Sequence, residues 1–484
     1  MNKCKLLLLV CLCYGSKSIA QNAFGALHSN FTPTNSLYLN PSSMLDSKVW
    51  LDINIVGAGV YVNNDLVNLN NHSLISLLMG ATVLDTDLDY NQNQKKYHAY
   101  NRNFVAAPSV VWNQGDHAAG LSIGARSYTG ARNVPDYIAR FIENGVPEFD
   151  AQHDIDYSAE NLRVASINFS EIKLSYGYTF LKKGRNMFMG GITVSKFFSL
   201  AGGGANIYNF DFNVDNDSLI SIENIETDLM MTPEIVFNAK GGIGLDIGFT
   251  FQKMLGDATG YYPHSPKSGC RELGYKYKLG LSIVDIGSVK FSTEDILYAG
   301  YNFDSYNWEN YVDSEVNEEN PLDLFASQER NITEGNVRKP NKVRLPTFVS
   351  GQFDYNIWDS KVYVNATVIQ GVPVSKNKFG LRHANSLSIT PRYESYLIDF
   401  ALPISLYEYR YPQLGASLRV GPLTLGTDKL INWFKKSNIY GADIYVYLKV
   451  PIKYSPSCKD RSKGNRSRGR KGRSRFKSPT DCTL

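Results

Sequence analysis

The sequence lacks a long apolar run after its first twenty residues. The best candidate, 74–84, is about half the ~20 residues that a membrane-spanning helix needs, and it contains Ser76 and Gly80. A spanning protein without such helices must be a closed β-barrel, because the hydrocarbon core satisfies no backbone polar groups. The sequence therefore excludes a helical membrane protein and leaves a barrel or a secreted β-protein.

Cysteine and the usual catalytic groupings are also scarce. Three of the six cysteines fall in the first twenty residues, which leaves Cys270, Cys458 and Cys482 without metal-ligand spacing. This excludes a disulfide scaffold and leaves open one bridge among the three. The seven histidines are scattered, and no carboxylate, nucleophile and base stand together. We predict no enzyme, no metal site and no cofactor.

The first twenty residues have the pattern of a cleavable export signal. Lys3 and Lys5 precede the short apolar run 6–12, and Ser18-Ile19-Ala20 supplies small residues before Gln21. Cleavage is expected before Gln21. In a cytoplasmic protein the basic C-terminal tail would be a candidate for binding nucleic acid. Because the chain is expected to be exported, we do not expect nucleic acid as a partner.

Charge is divided unevenly along the chain. The formal net charge is +4, and residues 453–484 contain eleven Lys or Arg and two Asp. The signal region contains three lysines, so the body from 21 to 452 has a net charge of −8. The tail has two open interpretations: a disordered soluble segment, or a contact with an anionic envelope polymer such as lipopolysaccharide or a peptidoglycan-linked polymer.

The clearest positive pattern is the alternation of apolar and polar residues with period two. It predicts strands with one apolar and one polar face over 172–180, 243–251, 277–283, 362–368 and 444–450. The 31 Tyr, 24 Phe and 39 Gly against 19 Pro fit aromatic girdles and crowded barrel interiors. In a soluble β-sandwich the apolar face is the core, whereas in a membrane barrel it faces lipid.

Strand length and turn asymmetry favour the membrane barrel. Strands predicted over 170–181 and 187–200 reach the ~9–11 residues that cross a bilayer at a tilt. Short turns contrast with long polar excursions, as in outer-membrane barrels. The predicted turns lie at 113–116, 182–186 and 358–360, the excursions at 64–100, 129–162, 201–239 and 292–344, and short helices at 135–144 and 430–435.

Charged residues on or near the predicted strands should point into the barrel lumen, because the lipid face disfavours charge. We expect either ion pairs that rigidify the barrel, or a polar track or latch for a ligand or an N-terminal plug. The candidate lumen charges are Lys173, Asp246, Lys278, Asp285, Asp399, Asp443 and Lys449.

Several segments together resemble a known family. The run Leu39-Asn40-Pro41-Ser42-Ser43 is similar to the Asn-Pro motif of FadL-like (long-chain fatty acid transporter) barrels, and PorV of the type IX secretion system has a similar segment. The chain more specifically resembles uncharacterised Bacteroidota outer-membrane proteins known as a domain of unknown function. The matching segments are 242–248, 279–287, 343–347, 420–428 and 441–445.

The resemblance implies an all-β transmembrane antiparallel barrel of about fourteen strands in the outer membrane. It places the segment with Asn40 and Pro41 inside the lumen as a plug and adds a few short helices in loops. The expected organisation is signal 1–20, plug-like segment 21–47, barrel 48–452 and basic tail 453–484.

Three functions remain open at this point. The first is a FadL-like channel for a small hydrophobic solute, in contact with outer-membrane lipid. The second is a non-transporting scaffold or partner of a secretion, motility or cell-envelope complex. The third is a soluble secreted β-sandwich binder.

Overall fold

A computed structural model describes residues 23–91, 94–138, 141, 153–216, 219–309, 322, 340–375, 378–436 and 438–458. The predicted export signal, Cys482 and most of the basic tail lie outside these residues. No helix among the described residues is long and apolar enough to cross a membrane.

The described residues are mostly strand. The strands are β1 (Leu51–Asn64), β2 (Val67–Leu69), β3 (Leu88–Tyr90), β4 (Lys96–Ala106), β5 (Ser109–Gln114), β6 (His117–Pro135), β7 (Asp156–Lys183), β8 (Asn186–Asn216), β9 (Leu219–Met231), β10 (Ile243–Met254), β11 (Tyr275–Lys290), β12 (Leu297–Glu309), β13 (Lys342–Arg344), β14 (Phe348–Trp358), β15 (Val362–Gly371), β16 (Ser386–Glu394), β17 (Ile398–Ala401), β18 (Ile404–Tyr407), β19 (Tyr411–Leu414), β20 (Ala416–Val420), β21 (Leu423–Thr427) and β22 (Gly441–Ile452). The helices are α1 (Phe24–Leu27), α2 (Pro33–Ser36), α3 (Leu74–Leu78) and α4 (Leu430–Phe434), with 3-10 turns at Pro41–Asp46, Asp85–Asp87 and Pro266–Ser268.

The wall is a closed antiparallel barrel. The first strand pairs with the last, from Leu51 opposite Ile452 to Asn63 opposite Gly441, and on its other edge β1 pairs with β4 and β5. The pairs β4 with β5, β17 with β18 and β19 with β20 each share one wall position, so the barrel has 14 strands. The predicted all-β barrel of about fourteen strands is confirmed.

Side chains alternate across the wall as the sequence predicts. On β10, Asp246 and Gly248 are buried and face the lumen, whereas Ile243 and Phe249 are exposed on the outside. Large apolar side chains of this kind surround the barrel, and we call them the apolar belt. The belt includes Leu174, Phe180, Phe249, Leu281, Val420 and Leu425, each about half exposed or more.

The two ends of the barrel differ. At one end, called the short-turn end, two or three residues connect β5 to β6, β7 to β8, β14 to β15, β16 to β17 and β20 to β21. The loop 255–274 lies at this end too, since Gly115 N–H donates to Pro263 O at 2.8 Å. Most long connections lie at the opposite, long-loop end. Because the strand number is even, β1 begins and β22 ends at the short-turn end.

A sheet, which we call the projecting sheet, extends from the long-loop end beyond the barrel. The 28-residue β7 and 31-residue β8 continue past the wall, where β8 leaves β10 and pairs with β9, and β9 pairs with β12. Aromatic and branched side chains form its own core, among them Tyr157, Phe212, Ile222 and Tyr301. The excursion predicted over 201–239 is therefore largely strand rather than loop, and the described part of 129–162 contains strand at 129–135 and 156–162.

Candidate functional site

Residues 23–50, called the plug, fill the lumen from the short-turn end. They form α1, α2 and the 3-10 turn Pro41–Asp46, and nearly all of their side chains are buried. Many of these buried side chains are polar, such as Asn30, Thr34 and Ser42. A buried polar group must find a hydrogen-bond partner, so the plug depends on polar partners from the wall.

Asn40 and Pro41 form the junction between plug and wall. The Asn40 side chain accepts hydrogen bonds from Ser42 N–H at 3.0 Å and Ser42 Oγ at 2.7 Å, which caps the 3-10 turn that Pro41 begins. Its amide nitrogen donates to Gln352 Oε1 at 2.9 Å on β14. The Ser42 hydroxyl also bonds Thr250 Oγ1 at 2.7 Å on β10. One asparagine therefore shapes the plug and attaches it to the wall.

Three lumen-facing glycines make room for this junction, and we call them the glycine cradle: Gly191 on β8, Gly248 on β10 and Gly280 on β11. A Cβ on Gly191 would lie 2.5 Å from the carbonyl carbon of Pro41 and the nitrogen of Ser42. A Cβ on Gly248 would collide with Asn40 Oδ1, and one on Gly280 with Gln352 Oε1. At Gly191 the plug backbone itself approaches the wall too closely for any side chain, whereas Gly248 and Gly280 make room for the side chains of Asn40 and Gln352.

Ion pairs fasten the lower plug to the wall. Lys48 of the plug lies 3.0 Å from Glu394, and Asp46 of the plug lies 2.6 Å from Lys278. Arg392 holds Asp354 through two hydrogen bonds of 2.6 and 2.7 Å and also donates to Glu394 at 3.3 Å. Removing one partner of such a buried set costs more than the pairing itself gains, because a charge is left without compensation.

A second buried network lies further toward the long-loop end. Arg126 donates to both oxygens of Asp285 at 2.8 Å and to Glu171 at 2.7 Å. Lys173 Nζ lies 3.3 Å from Asp246 and 4.9 Å from the ring centre of the plug residue Tyr38. Asp285 has a φ of 59° where the β10–β11 register shifts, and its N–H donates to Asp246 at 2.7 Å.

The other predicted charges also lie close to the plug. Asp399 accepts from Arg419 at 2.6 Å and from Ser29 of the plug at 2.6 Å. Lys449 bonds the plug hydroxyl of Thr34 and lies 3.6 Å from Asp52. Asp443 accepts from Thr427 Oγ1 at 3.2 Å. The seven predicted residues thus lie in several networks, of which Lys173, Lys278, Asp399 and Lys449 contact the plug directly.

Sequence reasoning missed most of the partners. Arg126, Asp354, Arg392, Glu394 and Arg419 are all buried in the lumen. Arg392 and Glu394 share one face of β16, and Asp354 has the lumen-facing parity of β14. The strand parity therefore contained a usable signal for these residues.

Burial shifts the pKa of two plug residues. Burial, reinforced by the charge of Arg392, lowers the pKa of His28 to about 3. The imidazole is therefore neutral at pH 7, and its Nε2 lies 3.3 Å from Thr367 Oγ1. Burial, reinforced by the charge of Glu171, raises the pKa of Tyr38 to about 12.

The loop 255–274 and the chain end close the short-turn end around the plug. His264 Nε2 lies 2.9 Å from Ser47 O of the plug, and Ser455 Oγ donates to His264 O at 2.9 Å. A disulfide joins Cys270 of the loop to Cys458. Plug, loop and chain end thus form one connected unit.

The upper lumen has a different character, because apolar side chains point into it. We call these side chains the lumen cluster, and they are almost fully buried. The cluster packs beside the second network, where the Arg126 guanidinium lies 5.1 Å from the Phe169 ring centre. Its members include Tyr128, Phe169, Phe197, Met230, Phe291, Leu345, Phe379 and Leu381. The described lumen therefore runs from an apolar upper part to an ion-paired lower part.

The arrangement is suited to binding and closure. Within the described part of the chain, no three His, Cys, Asp or Glu side chains stand close enough to hold a metal ion. The buried charges pair with one another and with the plug, so the plug is held in the lumen by the wall.

Comparison with known proteins gives a family and a set of similar folds. A model of the "Family of unknown function (DUF5723)" matches residues 41–428, and a sequence search finds no match among curated proteins. The chain is similar to the toluene transporter TbuX of Ralstonia pickettii (8% identity, TM-score 0.39, 91% of this chain and 100% of that chain). It is similar to a TodX deltaS2S3 mutant monoaromatic hydrocarbon channel (8%, 0.39, 90% and 94%). A Pseudomonas aeruginosa FadL homologue is also similar (8%, 0.22, 90% and 99%).

Proposed function

The chain belongs to the family of unknown function DUF5723, and we propose that it is an outer-membrane β-barrel channel for a small hydrophobic solute. In this proposal the plug closes the lumen at rest. The chain would reach the membrane through the export signal predicted at residues 1–20.

The apolar belt supports the membrane location. Leu174 is 63% exposed, Leu281 is 57% exposed and Phe249 is 54% exposed on the outer face of neighbouring parts of the wall. Soluble monomers rarely expose contiguous apolar patches larger than a few hundred Å². Contact with lipid hydrocarbon removes the free-energy cost of exposing these side chains to water. The charges stay inside the lumen, as in known outer-membrane barrels.

We infer the class of solute from the lumen cluster. Barrel interiors in outer membranes are usually polar, whereas here Phe169, Phe197 and Phe379 face inward at the long-loop side of the plug. An apolar solute that separates these side chains exchanges one apolar contact for another, whereas a charged solute would lose its hydration.

Whole-cell uptake tests the proposal. The protein is expressed in a bacterium whose lipopolysaccharide layer excludes hydrophobic solutes, and uptake of a labelled aromatic hydrocarbon is compared with uptake of a sugar. We expect faster hydrocarbon uptake than in cells with an empty vector, and no gain for the sugar. If no hydrophobic solute enters faster, the channel proposal is wrong. Fractionation with heat-modifiable gel migration tests the membrane location separately.

A second candidate function is a non-transporting scaffold for a secretion, motility or envelope complex. The projecting sheet favours it, because a sheet with its own core is more than a pore needs. The tail, whose first residues emerge at the short-turn end, is a candidate contact for an anionic envelope polymer. Affinity capture from envelope extracts, with the full chain against a chain that ends after Cys458, tests the tail's part in such a complex.

A further inference from the structure

A cavity of about 350 Å³ lies under the plug at the short-turn end. The plug, the lower ends of wall strands, the loop 255–274 and residues 453–458 line it. Its volume falls within the range of small-molecule sites, about 300–1,000 Å³. The plug separates this cavity from the lumen cluster.

Five side chains of one hydrophobic cluster form an apolar part of the cavity lining. Met187 and Met254 reach it from β8 and β10, Leu45 from the plug, and Tyr261 and Leu273 from the loop. Methionine side chains adapt their shape and suit aromatic partners. This lining favours an apolar ligand.

Most of the charged side chains that line the cavity form ion pairs. Lys453 lies 2.8 Å from Glu272, and Lys361 lies 2.6 Å from Asp359. At the plug side Lys48 pairs with Glu394 and Asp46 pairs with Lys278, and Arg271 of the loop also lines the cavity. Because the Lys361–Asp359 and Lys453–Glu272 pairs are partly exposed, they favour an uncharged ligand only weakly, and the preference for such a ligand rests on the apolar side chains.

One polar group in the lining has no partner. Gln252 on β10 is 2% exposed, lines the cavity, and its amide nitrogen makes no hydrogen bond within the described residues. A buried donor without an acceptor destabilises the empty protein, and a ligand acceptor would remove that cost.

We propose that the cavity is a binding site for a small, uncharged, mainly apolar molecule with one hydrogen-bond acceptor, such as an aromatic ketone. The Gln252 side chain, whose amide nitrogen is shielded from water in the empty protein, turns to donate to the acceptor, and the apolar body packs on Met187, Met254 and Leu273. A role for this site on the exit side of the solute route rests on the proposed function. Binding of the molecule to the site does not require transport.

The test measures binding of acetophenone and ethylbenzene, which share shape and differ by the carbonyl. The full chain in lipid nanodiscs is used, with protein-free nanodiscs as the blank for partitioning into lipid. We expect acetophenone to bind about tenfold more tightly than ethylbenzene, since one net hydrogen bond is worth about a factor of ten. Gln252→Leu should reduce this preference to about onefold, whereas Gln370→Leu at the long-loop end should preserve it.

A second variant probes the space rather than the hydrogen bond. Leu273→Trp on the loop adds a bulky ring beside the apolar part of the lining and should weaken binding of both molecules while the wall stays intact. Equal binding of the two molecules by the unmodified protein, a preference that survives Gln252→Leu, or affinities unchanged by Leu273→Trp would each overturn the proposal. Binding without cellular uptake would refute the channel alone, and uptake without binding would refute this site alone.

Discussion

Adding one methyl group to the glycine cradle should loosen the plug. Gly191→Ala places a Cβ 2.5 Å from the carbonyl carbon of Pro41 and from the nitrogen of Ser42, and 2.7 Å from Pro41 O. All three atoms belong to the plug backbone, so no side-chain rotation can relieve the overlap. The plug must move away from β8 by roughly 1 Å to reach ordinary contact distance.

Such a movement also stretches the hydrogen bonds beside the junction. The Ser42–Thr250 distance of 2.7 Å and the Asn40–Gln352 distance of 2.9 Å would approach or pass the limit for a hydrogen bond. Overpacking costs about 1–3 kcal/mol, and a weakened hydrogen bond adds about 0.5–1.5 kcal/mol. A total of about 2–4 kcal/mol raises the undocked fraction of the plug about 30- to 700-fold.

Hydrogen–deuterium exchange of peptides from residues 23–50 measures the undocked fraction directly. The matched control is Gly190→Ala, one residue away on the same strand. Its Cβ points outward and meets its nearest atoms, in Phe180 and Phe249, at 3.5 to 3.6 Å. The control therefore shares the change in strand propensity but not the collision.

We expect faster exchange of the plug in Gly191→Ala only, with unchanged exchange in wall peptides far from the junction. Equal plug exchange in the two variants and the unmodified protein would refute the reasoning. It would mean that the plug backbone does not need the space that Gly191 leaves.

Four further predictions follow from the same contacts. Asn40→Ala removes the cap and the donor to Gln352, so plug exchange should speed up by the equivalent of about 1–2 kcal/mol, whereas Asn385→Ala at the long-loop end should leave it unchanged. Arg126→Met removes the cation that hydrogen-bonds Asp285 and Glu171 and leaves them only Lys173, at 3.9 Å from each. It should lower the free energy of unfolding in urea by about 3 kcal/mol, whereas Lys361→Met, which breaks an exposed pair, should change it by less than about 1 kcal/mol. Replacing Cys270 and Cys458 by serine should lower the free energy of unfolding by about 2–5 kcal/mol. A reductant should then lower the heat-unfolding temperature of the unmodified protein but not that of the variant. Because burial lowers the pKa of His28 from 6.5 to about 3, the undocked plug binds a proton that the docked plug does not. Docking should therefore be at full strength above pH 6.5 and weaken by about 1.4 kcal/mol per pH unit below it, a trend in plug exchange that His28→Gln should flatten.

The wall was predictable from sequence because its two faces differ so strongly. An apolar outer face and a crowded polar lumen require strict alternation, as on β10, where Ile247 and Phe249 point out while Asp246 and Gly248 point in. The same alternation placed the seven candidate charges on lumen-facing or nearby positions before any partner was known.

The projecting sheet could not be predicted in the same way. In this sheet, β9 and the upper part of β8 lack the strict contrast between faces that the wall has, and Gly202-Gly203-Gly204 suggests a loop. In the structure these glycines lie within β8, where a Cβ on Gly203 would collide with Met230 of β9.

The sequence also could not predict which charged residues pair with each other. Arg126 and Asp285 are 159 positions apart, and the register that joins them depends on the closure of the whole wall. The motif Asn40-Pro41 pointed to the plug, but nothing local indicated that Gly191, Gly248 and Gly280 would receive it.

The pairing of β1 with β22 has a consequence for assembly. This seam joins residues nearly four hundred positions apart, so the barrel cannot close until its last strand exists, and forming contacts this distant in sequence is slow. The plug docks on β8, β10 and β11, which precede that strand in the chain. A wall still open at the seam can receive the plug from the side, whereas a closed one would require residues 23–50 to thread through its mouth. The glycine cradle is thus a meeting point available to a half-built barrel, and closing the seam then locks in a part that is already in place.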